Sequence, residues 1–131
     1  AKKMVEIGKN KGLSTEELND LFTLGIVHDV GYQFGTSAMH QKNGGLVLKK
    51  NGYRYWQEVY YHGIIQNEYT SLYLDILNQA DMQIDKMGRD VGYTGRLEDI
   101  KSRYGETSKV YLSCVNLVNF IKKNETLDDK N

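Results

Sequence analysis

Apolar side chains recur at three- and four-residue spacing along most of this chain, and nowhere do they alternate as a half-buried strand requires. With no proline in 131 residues, nothing forces a break inside the periodic stretches. The pattern predicts an all-α fold, a helical bundle of about six or seven helices. The clearest helix begins at Ser14, where Ser14 and Glu17 have the form of a capping box. Leu18, Leu21, Phe22, Ile26 and Val27 then follow on one stripe, and the helix is expected to end close to Gly31. A shorter apolar stripe precedes it, with Met4 and Ile7, ending near Gly8 to Gly12. Further helices are expected over about Ser37 to Lys50, with Asn51-Gly52 as the stop, and over the aromatic segment Tyr55 to Tyr61. Another is capped by Thr70 or Ser71 and carries Leu72, Tyr73, Ile76, Leu77 and Ala80. Thr94 is the expected cap of the next, which ends at Gly105, and a last helix is expected from Ser108 to Ile121. Residues 1–121 read as a single domain and 122–131 as a polar tail that frays.

The chain is long enough to bury a core without covalent staples. Its 17 basic and 17 acidic side chains cancel, so no overall basic field exists for sequence-independent nucleic-acid binding. Cys114 is the only cysteine and lies in an apolar stretch, where a thiol acts as a small buried hydrophobe. One cysteine forms no internal disulfide, so nothing asks for an oxidising compartment. No apolar run approaches a membrane span, and no membrane partner is expected. These features together read as a cytoplasmic protein.

Chemistry is concentrated in the three histidines, His28, His40 and His62. Neutral imidazole is the commonest protein metal ligand, although a single histidine is more often an ordinary core or surface residue. His28 is followed directly by Asp29, with an apolar run before the pair and Gly31 just after. Adjacent side chains on a helix diverge by about 100°, yet both reach one ion or two neighbouring ions where the helix ends.

The segment Leu24-Gly25-Ile26-Val27-His28-Asp29-Val30-Gly31-Tyr32 resembles the signature of the HD superfamily of metal-dependent phosphohydrolases. His40-Gln41-Lys42-Asn43-Gly44-Gly45 is similar to the next histidine segment of one subgroup, Tyr61-His62-Gly63 to a further histidine position, and Ala80-Asp81-Met82 to the closing Ala-Asp segment. Arg96-Leu97-Glu98-Asp99-Ile100, followed by Arg103-Tyr104-Gly105, is similar to a downstream helix of that subgroup. The order of these pieces is more specific than any one of them. The family also carries a histidine upstream of the pair, which the resemblance places before Ala1.

The resemblance implies an HD-domain-like helical bundle and a ligand set. His28, Asp29 and Asp81 would hold one divalent ion, and Asp29 would bridge to a second ion held by His40 and His62. Mn, Fe, Co, Ni and Zn all suit imidazole with carboxylate. The implied activity is hydrolysis of a phosphate ester, a nucleotide or a small phosphorylated metabolite, by a metal-activated water, with Asp29 and His28 at its centre. Tyr32, Lys42, Arg89 and Arg96 are the candidates for contacting substrate, against the plain alternative of surface charge, and Arg96 has Asp99 within reach on its own helix. Two other readings stay open: a non-catalytic metal-binding or regulatory module of the same fold, and a di-iron oxygenase. The cluster Tyr53, Tyr55, Trp56, Tyr60, Tyr61, Tyr69 and Tyr73 reads first as helix packing with hydroxyls reaching solvent, and second as a wall that stacks a nucleobase.

Overall fold

The computed structural model describes residues 1–29, 40–85 and 87–130, and for residues 40 and 126–130 the backbone alone. Among the described residues the chain is all-α, with seven helices and no strand. In order they are α1 (Lys2–Asn10), α2 (Thr15–Val27), α3 (His40–Lys50), α4 (Trp56–Tyr61), α5 (Leu72–Asp81), α6 (Gly92–Tyr104) and α7 (Lys109–Lys130). None of them is long and apolar enough to cross a membrane. Contacts divide the chain into two compact units, Ala1–His62 with Gln66–Leu77, and Gly63–Ile65 with Asn78–Asn131.

In the first unit α1 packs on α2, and α3 on α4. The capping box forms as its spacing predicts: Ser14 Oγ accepts from the Glu17 amide at 3.2 Å, and Glu17 Oε1 accepts from the Ser14 amide at 3.0 Å. Met4, Leu21, Leu24, Val59, Leu74, Ile76 and Leu77 are buried, each such side chain being worth roughly 1.5–3 kcal/mol in apolar burial. Ser71, one of the two expected caps, accepts from the Leu74 amide at 3.0 Å and opens α5.

The tyrosine hydroxyls differ from the expectation that they reach solvent. Tyr55 and Tyr73 both donate to Asp20 Oδ2, at 2.9 and 3.2 Å. Tyr69 and Ser71 donate to Glu58 Oε2, at 2.5 and 2.6 Å. Glu58 is only 2% exposed, and a buried carboxylate needs donors of this kind. The rings meet one another, Tyr55 on Tyr73 at 5.0 Å and Tyr60 on Tyr61 at 4.8 Å between centroids, edge to face.

In the second unit α6 packs on α7. Met82, Ile100, Leu117, Val118 and Ile121 form the core, flanked by Tyr93, Leu97, Tyr111 and Cys114. Burial raises the Cys114 thiol above its ordinary pKa, as expected of an inert thiol. Two expectations about helix ends are corrected. α6 starts at Gly92, upstream of Thr94, with Val91 at the N-cap and no side-chain cap; just before it, Asp90 Oδ1 accepts from the Gly92 amide at 3.3 Å. α7 does not stop at Ile121 but continues through Lys130. Beyond Ile121 the helix is tied to α6: Glu125 accepts from the Tyr93 hydroxyl at 2.8 Å, and Lys122 Nζ lies 5.6 Å from the centre of the Tyr93 ring. Between α5 and α6, Asp85 gathers the amides of Met87 and Arg89, both at 2.9 Å, and Arg89 Nε at 3.0 Å, and Ile84 and Asp90 form an isolated antiparallel bridge.

Candidate metal centre

α2 and α4 end in the same way. The last four carbonyls of a helix have no amide partner within it. His28 follows the last residue of α2, and its Nδ1 lies 2.7 Å from the Gly25 carbonyl oxygen. His62 follows the last residue of α4, and its Nδ1 lies 2.6 Å from the Val59 carbonyl oxygen. A carbonyl only accepts, so Nδ1–H donates in both rings. Each histidine thereby satisfies a carbonyl three residues back and has its ring fixed in direction. The chain leaves His62 through Gly63 at φ +82°, a left-handed conformation that glycine adopts without strain, and the Gly63 amide donates to Asn78 Oδ1 at 2.8 Å.

The two rings meet edge to face, with centroids 5.3 Å apart. Asp29 completes the group: its Oδ2 is 3.2 Å from His28 Nε2 and its Oδ1 is 3.8 Å from His62 Nε2. His62 is 2% exposed and His28 17%, whereas the Asp29 side chain is 48% exposed. One side of the group is therefore buried and the other opens to water. Because Nδ1 carries the proton, a neutral ring turns the lone pair of Nε2 toward a carboxylate oxygen. Two lone pairs facing one anion repel unless positive charge lies among them. A proton on an imidazole supplies that charge, and so does a metal cation with Nε2, Nε2 and carboxylate oxygen as donors. Helix-end carbonyls that hold the far nitrogen of an imidazole are the usual outer partners of a histidine ligand.

Of the residues expected from the sequence, the structure brings together His28, Asp29 and His62. Asp81 is the last residue of α5 and belongs to the second unit. His40 opens α3, with its side chain outside the described residues, and Tyr32 also lies outside them. Lys42 is half-buried on α3, with Nζ 6.0 Å from the centre of the Tyr60 ring. Arg89 is engaged with Asp85 at 3.0 Å. Arg96 makes the contact with Asp99 foreseen on its own helix, at 3.3 Å, and its Nε donates to the Asp81 carbonyl, also at 3.3 Å.

Sequence reasoning missed Asn78, which holds the turn after His62, and the Gly25 and Val59 carbonyls that aim the rings. A histidine one residue past the end of an apolar stripe is the signal that finds the carbonyls. Asn78 offers no such signal, since its partner lies 15 residues away. No family model, curated protein or solved structure matches this chain.

Proposed function

We propose that this chain is a metal-dependent phosphohydrolase of the HD type, acting on a phosphate ester such as a nucleotide or a small phosphorylated metabolite. The observation that carries the reading is the convergence of His28 Nε2 and His62 Nε2 on the two oxygens of Asp29. Two imidazoles with a carboxylate form a donor set of borderline softness, suited to Mn, Fe, Co, Ni or Zn. Asp81 and His40 complete the ligand set in this reading, on the resemblance of their segments to the HD pattern. A bound divalent ion supplies a Lewis acid that lowers the pKa of its water and draws charge from phosphoryl oxygens.

The rest of the task falls to the protein's own groups. The Gly25 and Val59 carbonyls hold the two rings, so little reorganisation accompanies binding. The Asp29 carboxylate offsets the charge of a divalent ion. Its exposure leaves a path by which water and a phosphate ester reach the site, while the buried His62 closes the opposite side. Lys42, Arg89 and Tyr32 remain candidates for substrate contact, from their place near the candidate ligands in the sequence.

The test is elemental analysis of the chain stripped of metal and then reconstituted with Mn, Fe, Co, Ni or Zn, followed by turnover on a panel of phosphomonoesters and nucleotides. About one or two ions per chain are expected, with hydrolysis that needs them. Asp29→Ala and His62→Ala are expected to lose both metal and turnover by at least about tenfold while keeping their helix content. Asp75→Ala, an exposed carboxylate on α5, is expected to keep both. Absence of metal after reconstitution, or full turnover in Asp29→Ala, overturns the assignment. Metal without turnover on the whole panel favours the regulatory module, and oxygen-dependent turnover with iron favours the oxygenase.

A further inference from the structure

The end of α5 is finished carbonyl by carbonyl. The Asn78 carbonyl accepts from the Met82 amide at 3.1 Å, and the Ala80 carbonyl from the Gln83 amide at 3.1 Å. The Gln79 carbonyl accepts from Gln83 Nε2 at 3.1 Å. These three donors come from the residues just after the helix. The Asp81 carbonyl is different: its donor is Arg96 Nε, at 3.3 Å, reaching across from α6. Arg96 is itself held, since its Nη1 donates to Asp99 Oδ2 at 3.3 Å and Arg103 Nη2 donates to the same oxygen at 2.6 Å. Its side chain is 20% exposed. A guanidinium is rigid and planar, so two fixed acceptors determine its orientation. Its charge also suits the negative end of a helix, where an aspartate is otherwise poorly placed.

We infer that Arg96, given the reading of Asp81 as a metal ligand, is its positioning residue: it ties the Asp81 peptide to α6 and so fixes the direction of the Asp81 carboxylate. Arg96 then does not contact the phosphate of the substrate. Asp99 and Arg103 serve the same end by fixing the guanidinium plane, which accounts for the three residues standing together on one face of α6. Lysine at this position keeps the charge but has no second donor in a fixed plane to engage Asp99.

The experiment is a titration of the metal-free full chain with Co²⁺, read by its visible spectrum and by affinity, for the wild type, Arg96→Gln, Arg96→Lys, Asp99→Asn, Asp81→Asn and the double variant Arg96→Gln/Asp81→Asn. Arg96→Gln is expected to weaken Co²⁺ binding by about tenfold or more, the usual range for an outer partner of a ligand. Arg96→Lys should fall between it and the wild type, and Asp99→Asn should lose less in the same direction. In the double variant the Arg96 change should add nothing to the loss from Asp81→Asn, because the two act through one interaction. Helix content and urea midpoint are measured for each; if Arg96→Gln does not fold, Arg96→Lys and Asp99→Asn carry the comparison. Unchanged Co²⁺ affinity in Arg96→Gln overturns the inference, and a raised KM for phosphate ester beside it returns Arg96 to the substrate. An equal loss with and without the Asp81 carboxylate also overturns it, as a general effect on folding. Absence of Co²⁺ binding in the wild type sinks the metal reading itself, which is a different result from either.

Discussion

Tyr53 carries a buried hydroxyl that finds no hydrogen-bond partner among the described residues. Burial first, and then the charges of Asp20 and Glu58, push its pKa from 10.0 up to about 12. Tyr69 stands in the opposite position, because its hydroxyl donates at 2.5 Å to the buried Glu58. Removing the two hydroxyls should therefore have opposite consequences. Tyr53→Phe gives up no hydrogen bond and relieves a desolvated hydroxyl, so it is expected to be neutral or to stabilise by up to about 1 kcal/mol. Tyr69→Phe leaves Glu58 with one donor fewer in a place water does not reach, and should destabilise by about 1–3 kcal/mol. Urea unfolding of the two variants checks this, and an equal loss in both would show that Tyr53 has a partner after all. The same accounting explains why His28 and His62 stand where they do. Each answers a helix-end carbonyl with Nδ1 and turns Nε2 toward Asp29.

Among the elements, α3 and α4 come into close contact at Gly45. A Cβ added there would lie 2.6 Å from Tyr60 Cβ and 2.7 Å from Tyr60 Cα, which is main chain and not a movable side-chain tip. Helix propensity alone favours alanine over glycine by about 1 kcal/mol. The overlap with backbone outweighs this, since overpacking typically costs about 1–3 kcal/mol. Gly45→Ala is thus expected to lower the thermal midpoint, whereas a gain in stability would mean that the two helices separate easily. The caps were legible where they are local. Ser14 with Glu17 predicts its helix start because donor and acceptor lie within one turn. Thr94 misled because the helix already begins at Gly92, after a local turn in which Asp90 Oδ1 accepts from the Gly92 amide, and its N-cap residue Val91 offers no capping side chain to read. The length of α7 could not be read at all, because the tie between Tyr93 and Glu125 spans 32 residues.

For the molecule as a whole, the raised tyrosines set a direction for stability against pH. Tyr53, Tyr55, Tyr69, Tyr73 and Tyr93 all have pKa values raised above 10.0, with burial the largest cause in each. The fold therefore favours the neutral phenol. The contribution is complete below the unfolded-state pKa near 10 and is lost as pH rises through the folded-state values, about 12 for Tyr53. A spectrophotometric titration should show a group of tyrosines that ionises above pH 10, together with the loss of helical circular dichroism. A single ionisation step near 10 with helix content intact would contradict the burial of these hydroxyls.

The all-α class was determined by the sequence alone, because an amphipathic helix writes its period into the order of apolar residues before any partner is present. Adjacency likewise placed His28 beside Asp29, and each histidine near a helix end. That His62 meets the pair was a matter for the tertiary structure. His62 reaches Asp29 only because the ends of α2 and α4 come together, and no local pattern fixes a contact between residues so far apart along the chain. The hydrogen-bond partners around these residues had the same origin. Gly25 and Val59 act through backbone carbonyls that every residue possesses, and Asn78 and Arg96 act on chain segments 15 residues away, so their roles arise only when the helices pack.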